Sequence, residues 1–193
     1  MRVLGVDPGL RVTGYACLAC DPGVAPFRTP DIVEAGVIRL RGEGSTPPQG
    51  GSGTNPGKQA RRRSVGTPRA ASISARLVEL DDDFRAVLQR TRPEVVAVES
   101  LFAHYKHPAT AIAMGHARGV LLLAIRHAGA RLVEVRPNEV KLALTGYGHA
   151  GKDQMQRAMQ AVFGLAELPS PPDLADALAI ALCALRRLSP GTL

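Results

Sequence analysis

The chain has 193 residues, 45% of them hydrophobic and 4% aromatic, with no tryptophan. That suffices for one domain with a sizeable core, at most one domain plus an appendage, and excludes a fibrous, collagen-like or globally disordered protein. The formal net charge is +7, and between positions 41 and 76 Arg41, Lys58, Arg61, Arg62, Arg63, Arg69 and Arg76 face Glu43 alone. One segment therefore carries most of the excess, and such a segment attracts polyanions without choosing among them. Asp7 interrupts the first apolar run, so no secretory leader is read there. The apolar run at 120–125 is far short of the roughly 18 residues of a membrane span. A soluble cytoplasmic protein with no membrane partner is expected, and the odd cysteine count fits a reducing compartment.

In chain order, a buried strand is predicted over residues 2–6, an Asp-Pro-Gly turn at 7–9 and a second strand over 12–18, forming a hairpin. A third strand falls at 32–40. Residues 42–58 are almost wholly Gly, Ser, Pro, Thr, Asn and Gln, which cannot bury enough apolar surface to offset ordering. A disordered basic insertion is expected over about 42–71, with order resuming near Ser72, inside one domain spanning 1–193. Ile73, Leu77, Leu80, Phe84, Val87 and Leu88 then recur with helical spacing. A buried strand follows at 94–100, an Ala- and Gly-rich helix at 108–127 and a short strand at 131–135. Helices are predicted from Pro137 to Thr145, over 152–163, and from the Ser170-Pro171-Pro172 start to about 188. This order makes an α/β protein with a mixed five-stranded sheet flanked by helices.

Four acids ask for an explanation. Asp7 and Glu99 each end an apolar strand, where α/β sheets place their ligands. Asp173 and Asp176 share roughly one face of the last helix, which is otherwise Leu, Ala and Ile. Each has an ordinary reading: Asp7 as a turn former, Asp173 as half of a capping box with Ser170. Brought to one spot, two such charges about 4 Å apart would cost roughly 4 kcal/mol per pair at an effective dielectric near 20. A divalent cation removes that cost, and oxygen-only ligation favours Mg²⁺ or Mn²⁺ over Zn²⁺. Paired ions of that kind serve phosphodiester cleavage. Cys17 and Cys20, three apart on a strand, should face opposite sides and share no zinc.

The blocks MRVLGVDPGLRVTGYACL, VVAVESLFAHYKHPATAIAMGHARGVLL, RPNEVKLALTGYGHAGKDQMQ and PPDLADALAIAL together resemble RuvC, the crossover (Holliday) junction endodeoxyribonuclease family. They stand in that family's order and cover most of the chain outside residues 41–72. The resemblance implies an RNase H-like fold and a homodimer that resolves Holliday junctions with two Mg²⁺ ions per site, leaving a 5′-phosphate and a 3′-hydroxyl. It implies catalytic and metal-ligating roles for Asp7, Glu99, Asp173 and Asp176. It makes Phe102 a junction-inserting aromatic, beside Tyr105 and Lys106, and Lys141 and Lys152 contacts to the DNA backbone. Arg11 and Arg118 are further candidates for phosphate. An aromatic beside positive charge can stack on an unpaired base, and a lysine opening a helix after a glycine-rich turn suits a phosphate. The resemblance also implies partnership with the RuvA–RuvB branch-migration complex. In the dimer, Ala113, Gly115, Ala117 and Gly119 would offer a face for close packing.

Rival readings remain at this stage. Sugar kinases and actin-like ATPases open with a similar strand–turn–strand, but need two such domains. An RNase H-like nuclease acting on RNA shares the strand-end Asp, and a non-catalytic junction-binding module would bind without cutting.

Overall fold

The computed structural model describes residues 1–20, 29–41, 68–100 and 108–188. Three strands, β1 (Arg2–Asp7), β2 (Val12–Ala19) and β3 (Asp31–Arg39), run as an antiparallel meander. After helix α1 (Pro68–Thr91), strand β4 (Val95–Glu99) lies parallel to β1. Helix α2 (Pro108–His127) then returns the chain to β5 (Arg131–Val135), parallel to β4. The sheet order is β3-β2-β1-β4-β5, mixed and five-stranded as expected. Helices α3 (Pro137–Thr145), α4 (Lys152–Phe163) and α5 (Pro172–Leu188) complete the chain.

Period-two alternation sorts the strand side chains between two cores. Val3, Ala16, Leu18, Val95, Ala97, Val133 and Val135 pack under α3, α4 and α5. Leu4, Val6, Cys17, Val96 and Val98 pack on the other face under α1 and α2. Central strands buried on both faces are what the unbroken apolar runs of β1 and β4 require. Helix α5 lies so close to β1 that a Cβ on Gly5 would stand 2.3 Å from the Ala177 carbonyl oxygen, so only glycine fits there. Cys17 sits in the α1/α2 core, while Cys20 packs against the opposite one. The CxxC pair is thus split across the sheet, as strand geometry dictates.

Four expectations need correction or fall outside the structure. Helix α1 begins at Pro68, not near Ser72, because a proline at the first helical position and the following Arg-Ala-Ala favour helix over coil. The rest of the expected disordered insertion, 42–67, lies outside the described residues. The small residues of α2 do not form one face. Ala117 is buried and Ala113 packs beside it, while nothing lies within 4 Å of a Cβ built on Gly115 or Gly119. Finally, the 109–127 stretch of α2, with mean hydropathy 1.2 and 22% of it buried, is long and apolar enough for a span by length and composition. The run at 120–125 supplies most of that hydropathy, and the rest of the stretch mixes Ala, Gly, His and Arg. One side of it is a core face, through Ala117, Leu121, Ala124 and Ile125.

Candidate active site

Val6 pairs with Val98 across the parallel β1–β4 ladder, so Asp7 and Glu99 follow side by side at the same end of the sheet. Both continue the alternation of Val3 and Gly5, and of Val95 and Ala97, so their side chains lie on the α5 side. The turn after Asp7 is pinned by Thr13, which is fully buried: its hydroxyl lies 2.7 Å from the Gly9 carbonyl oxygen and 3.2 Å from the Gly9 N–H. Asp7 itself pairs with Gly14 on β2.

Gly14 is where α5 comes in. A Cβ there would stand 2.0 Å from the Asp173 carbonyl oxygen and 3.3 Å from the Ala177 Cβ. The first turn of α5 therefore rests on β2 next to Asp7, with Asp173 in that turn and Asp176 one turn further along. Leu174 N–H bonds to the Pro171 carbonyl, and the helix starts at Pro172. Ser170 lies too early to cap it, and Asp173 is not half of a capping box.

The four acids share one electrostatic site. Burial, followed by repulsion from Glu99, Asp176 and Asp173, pushes the Asp7 carboxyl from its ordinary 3.8 up to about 8; Lys152 pulls it the other way. Burial and then Asp176 raise Glu99 to about 6, against Lys141. Burial raises Asp176, opposed by Lys152 and Lys141 and reinforced by Asp173. Among the described residues, no three acid, histidine or cysteine side chains close into a finished metal cage. The donor chemistry nevertheless fits a hard divalent cation. The donors are carboxylate oxygens only, and the repulsion that lifts Asp7 and Glu99 is what a cation relieves.

Lys141, half-buried on α3, and Lys152, exposed at the start of α4, flank the acids. Arg11 is exposed in the β1–β2 connection, where its carbonyl accepts from the Leu40 N–H. Arg118 is 18% exposed and paired with Glu134 on β5. Phe102, Tyr105 and Lys106 lie outside the described residues. Sequence reasoning missed Gly14 and Thr13, which hold this end together. The available signal was a glycine inside a strand otherwise rich in larger residues, which marks a close backbone approach.

Residues 60–184 match the family described as crossover junction endodeoxyribonuclease RuvC. A protein of that name from Moorella thermoacetica is 36% identical over 183 residues, covering 95% of this chain and 90% of that one. One from Chloroflexus aurantiacus is 38% identical, covering 95% and 92%. The structure of Thermus thermophilus RuvC superposes with a TM-score of 0.70 at 31% identity, covering 97% of this chain and 95% of that chain. The same enzyme solved with a Holliday junction substrate gives 0.70 at 30% identity, covering 95% and 92%. The yeast mitochondrial Holliday junction resolvase shares the fold at TM-score 0.57 and 14% identity. With the RNase H-like sheet, the strand-end acids and the closing helix in place, these matches decide the matter: the chain belongs to the RuvC family of crossover junction endodeoxyribonucleases.

Proposed function

We propose that this protein resolves four-way DNA junctions by paired, divalent-cation-dependent phosphodiester hydrolysis, with Asp7, Glu99, Asp173 and Asp176 as its catalytic acids. The observation that carries the proposal is the meeting of acids from β1, β4 and α5 at one sheet end, beside Lys141 and Lys152. Asp7 is central, since it feels all three of the others. It would hold two Mg²⁺ ions, or Mn²⁺ in their place, together with Glu99 and the two α5 aspartates. Bound there, such ions supply Lewis-acid stabilisation of charge developing on the phosphate and lower the pKa of water. The two lysines neutralise the phosphates on either side of the cut and hold the strand in register. Water oxygen bonds to phosphorus as the bond to the 3′ oxygen breaks, giving a 5′-phosphate and a 3′-hydroxyl. Four-way junctions, matched linear duplex and an RNA–DNA hybrid, each with Mg²⁺, test the reading. Paired nicks on the junction alone are expected. Equal cutting of linear duplex, preference for the hybrid, or binding without cutting would each overturn it.

Two opposed nicks need two copies of this site related by two-fold rotation. The outward stripe of α2 supports a homodimer: Ile112 is 61% and Leu123 54% exposed, with Gly115 and Gly119 between them allowing close approach. Leu123→Glu is expected to give monomers by light scattering and single, unpaired nicks. A dimer that still cuts in pairs would place the interface elsewhere. Lys152→Ala is expected to weaken junction binding and to lower the slope of log affinity against log salt by about 1, the signature of one lost phosphate contact. An unchanged slope would remove Lys152 from the DNA. Partnership with a RuvA–RuvB type motor, and a cytoplasmic location, follow from the family reading and belong to this proposal. So does a single domain that carries the basic segment before α1, 42–67, as an insertion.

A further inference from the structure

The connection from α3 to α4 is short, rigid and aromatic. Helix α3 ends on Gly146 in the left-handed conformation, φ 71°, whose N–H bonds to the Leu142 carbonyl. The Thr145 hydroxyl lies 2.8 Å from the Lys141 carbonyl oxygen and accepts the Tyr147 N–H at 3.2 Å. Ala150, 1% exposed, anchors the connection in the α5-side core, and its N–H bonds to the Tyr147 carbonyl at 3.1 Å. Gln154 Oε1 accepts from the Gly151 N–H and closes the start of α4. The N–H and carbonyl of residue 147 are thus both hydrogen-bonded within the connection.

Tyr147 is 57% exposed. Its one ring–ring contact among the described residues is with His149, edge to face at 5.7 Å and 65°. An exposed aromatic on a fixed backbone has little left to lose in ordering when it binds a flat partner. The connection is bracketed by Lys141 and Lys152, whose charges act on Glu99, Asp7 and Asp176. Tyr147 therefore lies on the segment that joins the two lysines acting on the acids.

We infer that Tyr147, braced by His149, is a stacking platform for a base next to the scissile phosphate, positioning the strand over the acids. The phosphates provide attraction without geometry, whereas a ring face fixes the depth and tilt of one nucleotide. The inference deepens the resolvase reading and rests on it.

The test compares wild type, Tyr147→Phe and Tyr147→Leu, which all keep the backbone hydrogen bonds and the exposed position. Affinity for a four-way junction is measured across a salt series without divalent cation. Fluorescence is read from 2-aminopurine placed in turn at each position around the cut. Stacking predicts that Tyr147→Leu weakens binding about tenfold while the salt slope stays the same, and that Tyr147→Phe behaves as wild type. It also predicts one 2-aminopurine position quenched by wild type and the Phe variant but not by the Leu variant. Wild-type affinity in the Leu variant, or no position with ring-dependent quenching, overturns the platform and leaves the resolvase reading standing. Wild type that prefers linear duplex to the junction overturns the resolvase reading, and the platform with it.

Discussion

Asp7→Asn is expected to abolish junction cleavage, by more than about a thousandfold, and at the same time to raise the melting temperature of the cation-free protein. The two effects share one cause. Burial and three neighbouring acids push the folded Asp7 carboxyl to about 8, against 3.8 for the free group. Between those values the folded protein holds a proton that the unfolded chain has already released. The contribution of this group to stability is therefore fully present below about pH 4 and is lost as pH rises toward 8. At about 1.4 kcal/mol per unit the upper limit near neutrality is of the order of 5 kcal/mol, of which burying an amide returns part. A gain of roughly 5–10 °C at pH 7.5 follows for a chain of this size. Glu99, raised to about 6 from 4.5, acts in the same direction over its narrower window, so a residual pH dependence should survive in the variant. Added Mg²⁺ should stabilise wild type by binding the ionised carboxylates, and the variant much less. Thermal melts with and without Mg²⁺, from pH 5 to 8, check this. A variant that melts at the wild-type temperature across that range, or that still cuts, removes Asp7 from the centre of the site.

Three of the four acids proposed for the site stand out in the sequence because they break a local rule, whereas Asp173 reads alone as a helix cap. Asp7 and Glu99 end runs that burial requires to be apolar, and Asp176 interrupts a helix made of Leu, Ala and Ile. The strands and the long α1 stripe were legible for the complementary reason, that their periods are unmixed. Lys141 and Lys152 carry no such signal, since a lysine on a helix is ordinary solvated surface. Only the family resemblance singled them out. Helix α2 misled because its inner and outer faces are both small and apolar, so periodicity could not separate Ala117, packed on the sheet, from Gly119, facing out. The capping box read at Ser170 and Asp173 failed because two prolines follow Ser170 and the helix starts at the second. Thr13 and Gly14 were passed over because their roles depend on a turn and a helix that the strand sequence does not mention.

Gly14→Ala is expected to cut turnover about a hundredfold while leaving junction affinity near wild type. The new Cβ would stand 2.0 Å from the Asp173 carbonyl oxygen, a backbone atom that cannot swing aside as a side chain could. The first turn of α5 must lift from β2, carrying Asp173 and Asp176 away from Asp7 and Glu99. A displacement near 1 Å at a reacting centre costs about 10²-fold in rate. The lysines sit on α3 and α4, so the grip on the phosphates survives. Overpacking of this sort also costs about 1–3 kcal/mol of stability, a drop of several degrees rather than unfolding. Gly5→Ala makes the contrast, because its Cβ would meet Ala177 and Ala181 in the middle of α5, where the helix cannot tilt away. That variant should lose the fold before it loses a step of the reaction. Steady-state kinetics at several Mg²⁺ concentrations separate the two. A spread acid cluster binds cation more weakly, so raised Mg²⁺ should restore part of the Gly14→Ala rate and none of the Gly5→Ala loss. Wild-type turnover in Gly14→Ala would mean that α5 can place its aspartates without resting on β2.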